Sequence, residues 1–501
     1  MVITVDKRSK HPLYKQIFDQ IRRQILTGEL HAGYQLLPER QMAESIGVNR
    51  TTVLAAYREL KTEGLVESHV GRGTVVAMAE TPAVRPAHMK GEPIWEHMAS
   101  DLARAMDDAT IDMIMQAINR PGIISFAGGI SSPDTQPLDM LRDLAGEHAR
   151  VALTASPIGG FASLRKVMSD LMHARGCLCH PEEIMIVSGS QQGIDLVTRT
   201  LVNPGDIVFV EEPSYFPAIH CFQAAGARLM GIPMTPDGMD LDILEQLLHR
   251  YRPKCIYTVP TYHNPCACSM PAHNRVRLLE LAYAHNVLVI EDDPYSELRY
   301  DGQSFASLKS MDTRRNVIYL STFSKTVSPG LRLGWVCGHR KLINMLSSVK
   351  QYVDVSSSSL AQHVMERFIT SGGMQAHIER MRAEDRIKRD AMAGALAKYS
   401  PSGASTRVPE GGSYIWYELP DQVTAGKVLA AASRAGVAVL PGTVFYMTKH
   451  AGERYLRLNF TFETTANILR GVKALCTAIT DIQTAQDEDA GHGISTFTPI
   501  D

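Results

Sequence analysis

Five short apolar runs, Ile184–Val187, Ile207–Glu211, Cys255–Val259, Val287–Glu291 and Val317–Leu320, alternate with helix-length stretches between residues 184 and 320. Runs so short and so apolar have no polar face to turn to water, so both sides of each strand must be covered. Strand–helix alternation supplies that cover and predicts a parallel sheet packed between helices. In such a sheet, ligands bind in the crevice outside the C-terminal strand ends. The residues standing at those ends therefore decide what the chain can do.

The end after Val317–Leu320 is the most telling. It reads Ser321-Thr322-Phe323-Ser324-Lys325, with Arg332 following in Pro329-Gly330-Leu331-Arg332. An amine flanked by hydroxyls and a guanidinium can hold a phosphorylated aldehyde: the amine forms an imine, and the other groups take the phosphate. If the aldehyde is pyridoxal phosphate, its ring nitrogen needs a carboxylate, and Asp292 stands where the run Val287–Glu291 ends. Tyr295 and Asn264 can address the phenolic oxygen, and Tyr215 can stack on the ring. Ser190 and Gln191 lie between a strand and a helix, where backbone N–H groups seat phosphate. Each piece alone has a plainer reading, since an Asp at a strand end is commonly a helix cap. Their coincidence at five strand ends points to one site.

The first 78 residues read differently. Leu13, Ile17, Ile21 and Ile25 recur at helical spacing, a second helix is expected over Glu39–Ile46, and a third over Arg50–Glu63 with Asn49 as its N-cap. Leu65–Ser68 and Thr74–Val76 follow as two strands around Gly71-Arg72-Gly73. This is the winged helix-turn-helix order. It places Asn49, Arg50, Thr51, Thr52 and Tyr57 on a recognition helix in the DNA major groove, and Arg72 on a wing. Charge agrees: residues 1–78 carry 11 Lys/Arg against 8 Asp/Glu, whereas the remainder nets −5 of the overall −2.

Pro82, Pro86 and Pro93 mark residues 79–93 as a linker, residues 94–482 as the ligand-binding body, and 483–501 as a polar, frayed tail. No apolar run approaches the ~20 residues of a membrane helix, and the opening residues lack a signal-peptide pattern, so the cytoplasm is expected. The pairs Cys177/Cys179 and Cys266/Cys268 lack zinc-knuckle spacing and read as small hydrophobes, with no metal expected.

From Pro12-Leu13-Tyr14-Lys15-Gln16-Ile17 through Gly71-Arg72-Gly73-Thr74-Val75 the chain resembles the DNA-binding domain of the GntR family, with matches at Glu39-Arg40, Gly47-Val48-Asn49-Arg50-Thr51-Thr52-Val53 and Glu63-Gly64-Leu65-Val66. The resemblance implies DNA contacts by Arg40 and Arg50. That family usually has Leu-Pro-Ser ahead of the Glu-Arg pair; Leu36-Leu37-Pro38 stands here, so one hydroxyl contact to phosphate is missing.

From about Ile123 to Ala478 the chain resembles fold-type I aminotransferases, which implies a large parallel-sheet domain and a smaller C-terminal α+β domain. By that resemblance Lys325 carries the cofactor, Asp292 pairs its ring nitrogen, and Asn264 and Tyr295 hold its phenolic oxygen. Ser190, Gln191, Thr322, Ser324 and Arg332 take its phosphate. Arg457, in Tyr455-Leu456-Arg457-Leu458-Asn459, is the implied arginine for a substrate carboxylate, although an ion-pair role is the competing reading. Two departures stand out: Cys266-Ala267 replaces Thr-Gly after Asn264-Pro265, and Ala155 stands where a tyrosine normally reaches the neighbouring subunit's cofactor.

A GntR-like head joined to an aminotransferase-like body resembles the MocR family of bacterial transcription regulators. The resemblance implies a homodimer that binds operator DNA and pyridoxal phosphate, and that senses an amino compound, or the cofactor itself, by imine exchange at Lys325. The alternative is an active aminotransferase carrying a DNA-binding head. The tyrosine missing at Ala155 argues for slow half-transamination at most.

Overall fold

The computed structural model describes residues 3–77 apart from 8, 10, 28 and 70–72, then residues 98–100, 103 and 120, and residues 122–492 apart from 148, 149, 152 and 153. The chain divides into two compact units, Met1–Ala99 and Ser100–Asp501.

In the first unit, α1 (Leu13–Leu26) buries Ile17, Phe18 and Ile21, the stripe its spacing predicts. Helix α2 (Glu39–Ile46) stops at Gly47, whose φ of 64° continues no right-handed helix. Helix α3 (Arg50–Thr62) starts on Asn49, whose side chain accepts the Thr51 N–H at 3.2 Å as expected. Strands β1 (Val66–His69) and β2 (Gly73–Val76) pair antiparallel, Val66 opposite Val76 and His69 opposite Gly73. Gly71 and Arg72, which the sequence assigns to the wing, lie outside the described residues.

The second unit is built on an eight-stranded sheet. After the short β3 (Ile124–Ser125) come β4 (Ile184–Val187), β5 (Ile207–Glu212), β6 (Arg228–Thr235), β7 (Gly238–Met239), β8 (Cys255–Thr258), β9 (Leu288–Asp292), β10 (Val317–Thr322) and β11 (Gly334–Cys337). Their order is β4-β11-β10-β9-β8-β5-β6-β7. Pairings β6·β5, β5·β8, β8·β9 and β9·β10 are parallel, as expected. Strand β11 departs from that expectation by running antiparallel to both neighbours. The segment between Thr322 and Gly334 is too short for the helical crossover that parallel pairing needs, so the chain folds back as a hairpin. Every residue of β4, β8, β10 and β11 is buried, which explains their unbroken apolar runs.

The smaller C-terminal part carries β12 (Ser405–Thr406), β13 (Tyr414–Glu418), β15 (Leu440–Pro441) and β16 (Tyr455–Asn459) in the order β12-β13-β16-β15, while β14 (Val437–Ala438) pairs with β3. The last helix runs Thr465–His492, ten residues beyond the expected end of the body at 482. Gln483 and Gln486 donate to the carbonyls of Ser402 and Gln422. A helix already nucleated extends cheaply through Gln, Ala and Glu, so polar composition alone does not fray it. Among the described residues no helix is long and apolar enough to cross a membrane.

Candidate cofactor site and DNA-reading face

Strands β4, β5, β8, β9 and β10 bring their C-terminal ends to one side of the sheet, and the predicted site residues sit on them. Lys325 follows β10, and its Nζ donates to the Gly129 carbonyl. Arg332 curls back in a left-handed conformation (φ 47°) and donates from Nη1 to Ser324 Oγ at 3.2 Å and from Nη2 to the Ser188 carbonyl at 3.2 Å. Thr322 Oγ1 joins the same knot, donating to Ser324 Oγ and accepting the Ser324 N–H. Gly189, with φ 87°, precedes the helix Ser190–Leu201; a Cβ there would lie 2.6 Å from Arg332 Nη2. The result is a cradle of hydroxyls, guanidinium and helix N-terminal N–H groups, the donor set a phosphate requires. The Gln191 side chain is engaged elsewhere. Its amide nitrogen donates to the Pro217 carbonyl and to Cys221 Sγ, which leaves the backbone N–H as its offering to an anion.

Asp292 is buried at the end of β9. Its Oδ2 accepts the Tyr257 hydroxyl at 2.7 Å, whereas Oδ1 has no partner. Burial first, opposed by the Tyr257 hydrogen bond and reinforced by Asp293, pushes its carboxyl up to about 7. The folded, cofactor-free body thus holds a proton that the unfolded chain releases. Its stability therefore falls as pH rises from the ordinary aspartate range through about 7. Glu291, raised to about 7 by burial and by Asp293, acts in the same direction. Asp292→Asn is expected to make this slope shallower, read from melting temperatures of cofactor-stripped protein between about pH 5 and pH 8.

Arg457, on β16, is buried over the Tyr414 ring, 4.1 Å from its centroid. Its Nη1 donates to Asn264 Oδ1 at 3.1 Å and Nη2 to the carbonyls of Ala127 and Gly128, while Nε has no partner. The Tyr295 hydroxyl donates to that of Tyr414 at 3.3 Å. Burial alone would raise the Tyr414 hydroxyl, but Arg457, Lys325 and Tyr295 together hold it below the ordinary tyrosine range. Tyr215 is raised by burial first and then by the charge of Asp292, in keeping with a place beside that carboxylate.

Three contributors escaped the sequence. Tyr414 begins β13, remote in sequence from the strand ends; Tyr257 lies inside an apolar strand; and Gly129 would bring a Cβ within 3.3 Å of the Tyr414 hydroxyl and 3.8 Å of Lys325 Nζ. Only Tyr257 left a signal, since a tyrosine in a wholly buried strand must find a partner for its hydroxyl. Ala155 is exposed.

In the first unit Asn49, Arg50 and Thr51 are exposed and Thr52 half-buried at the start of α3. Arg50 pairs with Glu39, and Arg40 with Glu44. Tyr57 corrects the expected DNA-contact set: it is buried, and its hydroxyl donates to the Leu37 carbonyl at 2.9 Å. The spacing Val53, Tyr57, Leu60 puts it on the core stripe, a pattern already visible in the sequence. Tyr57→Ala is expected to destabilise the head by ~3 kcal/mol in a denaturant melt, whereas Arg50→Ala leaves the melt unchanged and weakens operator binding.

Residues 147–475 match the family of class I and II aminotransferases, and residues 13–76 match the bacterial regulatory proteins of the gntR family. The uncharacterized HTH-type transcriptional regulator YisV of Bacillus subtilis is 31% identical over 474 residues, 93% of this chain and 96% of YisV. It shares both parts in one polypeptide. The chain belongs to the MocR family. The probable rhizopine catabolism regulatory protein MocR of Rhizobium meliloti is 31% identical over 76% of each chain. The crystal structure of Pyrococcus horikoshii kynurenine aminotransferase in complex with PMP superposes with a TM-score of 0.74 at 36% identity, covering 78% of this chain and 98% of that one. This MocR regulator thus joins a DNA-binding head to a body of the fold-type I aminotransferase class, whose cofactor is pyridoxal 5'-phosphate. The residues fit that group: Asp292 Oδ1 awaits a ring nitrogen, the Gly189 cradle awaits a phosphate, and Lys325 supplies an amine.

Proposed function

We propose that the body of this regulator senses an amino compound bearing a carboxylate, and that the head's hold on DNA changes in response. The observation that carries this reading is the unpartnered Nε of buried Arg457, in a guanidinium that also reaches Asn264 and stacks on Tyr414. A buried donor without a partner costs about 1–3 kcal/mol, which an incoming carboxylate would recover. Bound in the cradle, pyridoxal phosphate supplies an aldehyde that condenses reversibly with amines. Lys325 would be its resident amine, Asp292 its ring-nitrogen partner, and Asn264 and Tyr295 its phenolic-oxygen partners. Ser190, Gln191, Thr322, Ser324 and Arg332 would anchor its phosphate, with Tyr215 stacked on the ring. An effector amine would compete with Lys325 while Arg457, stacked on Tyr414, would hold the effector's carboxylate.

The head would span residues 1–78 and reach the body through the 79–93 linker. Two copies, working in the cytoplasm, would present paired recognition helices to a two-fold operator, with Asn49, Arg50, Thr51, Thr52, Arg40 and Arg72 facing DNA. The coupling demands that the effector bind one arrangement better than the other, by ~1–3 kcal/mol. Screening amino acids against matched decarboxylated amines, with cofactor absorbance and operator footprinting as readouts, tests the reading. Equal responses to both series would overturn the carboxylate assignment.

A second reading, a working aminotransferase tethered to DNA, is favoured by 34% identity over 395 residues to aromatic-amino-acid aminotransferase 1 of Thermococcus litoralis. Sustained keto-acid production at ~1 s⁻¹ or faster would support it.

A further inference from the structure

Cys337 is distant in sequence from Cys177 and Cys179, yet the three sulfur atoms all lie within 4.8 Å of one another. All three are buried free thiols. The Cys-Leu-Cys turn follows the helix Ala162–Ala174 and alternates its side chains, so Leu178 points out, 86% exposed, while both sulfurs point in. The turn is pinned at the main chain: the Cys177 N–H donates to the Met172 carbonyl, and Cys179 accepts Ser169 Oγ at 2.7 Å. The third sulfur arrives on β11, opposite Ile184 of β4. The sequence showed only a Cys-x-Cys pair; the β10–β11 hairpin adds the third member.

We propose that these three cysteines form a binding site for one soft monovalent d10 cation, Cu⁺, held by three sulfurs in an apolar shell. Three sulfurs each ~2.3 Å from a common ion stand about 4 Å apart, within the spacing found. Leu164, Met168, Met172, Ile184 and Ile186 share one buried core cluster with the three cysteines, and their side chains supply no oxygen ligand. His173 does not complete a four-coordinate zinc set, because its Nε2 is taken up by the Cys179 main chain, 3.1 Å from N and 2.7 Å from O. Magnesium and calcium demand oxygen ligands, and structural zinc demands four donors, whereas thiolate sites of low coordination suit Cu⁺. On binding, each ligating thiol gives its proton to solvent and no electron is transferred.

The test uses the full-length, cofactor-loaded protein under anaerobic, reducing conditions, with Cu⁺ competed against the chromophoric chelator bathocuproine disulfonate. The expected result is one tightly held Cu⁺ per chain. Cys177→Ala/Cys337→Ala should weaken that hold about a hundredfold or more, and Cys221→Ala and Cys266→Ala should leave it unchanged. Cofactor absorbance and a melting curve verify that the double variant is folded. Cys179→Ser serves as a second variant, and mass-spectrometric alkylation mapping of the unaltered protein should show Cu⁺ shielding these three of the eight thiols. Equal Cu⁺ retention by the double variant overturns the proposal. So does retention through Cys221 or Cys266, a preference for Zn²⁺ over Cu⁺, or a disulfide within the trio that forms regardless of metal.

Discussion

The Lys325→Ala variant is expected to lose the near-visible absorbance of the protein-bound cofactor and, with it, all response of operator binding to the effector. Lys325 follows β10 directly after Ser324 of the phosphate cradle, and its Nζ reaches the Gly129 carbonyl. Removing it leaves the cradle intact, because Arg332, Ser324 and Thr322 hold one another without it. The phosphate anchor therefore survives while the covalent link is gone. Head stability and basal operator affinity should stay unchanged, since residues 13–76 carry their own core. An effector response persisting at ordinary amplitude in this variant would rule out competition for the Lys325 amine as the sensing step.

The second large effect is expected at Arg457. Arg457→Ala removes a charge-assisted fork and should weaken carboxylate-bearing effectors by ~3 kcal/mol, or about a hundredfold, while sparing amines that lack a carboxylate. It also leaves Asn264 Oδ1 without its donor and empties the space between Tyr414 and Phe445, so some loss of melting temperature accompanies it. Arg457→Lys separates the two consequences. The charge stays but the planar fork is lost, so specificity should fall while stability largely returns. Dose–response titrations of cofactor absorbance with paired ligands measure the difference. A uniform loss for both ligand classes would make Arg457 a structural residue that braces Asn264 and Tyr414 instead.

Much of the molecule is legible before folding. The apolar runs marked β4, β5, β8, β9 and β10 because strands buried on both faces can carry little else. Asn49 announced the start of α3, since an exposed helix end needs a side-chain acceptor. Strand β11 was missed because a hairpin return and a crossover look alike until the loop between them is measured against the distance it must span. Tyr57 was placed toward DNA by its position after Arg50, although its spacing with Val53 and Leu60 already put it inside.

Residue order alone carries the two family matches and names the candidate amine, carboxylate and phosphate donors of the body, because chemistry at a strand end follows from residue type and local order. Only the tertiary structure decided that Tyr414 stands beside Lys325, that Tyr257 braces Asp292, that Arg457 leans on Asn264, and that Cys337 meets Cys177 and Cys179. Each of these contacts joins residues from separate elements, and sequence periodicity carries no information about which elements a buried sheet will place side by side.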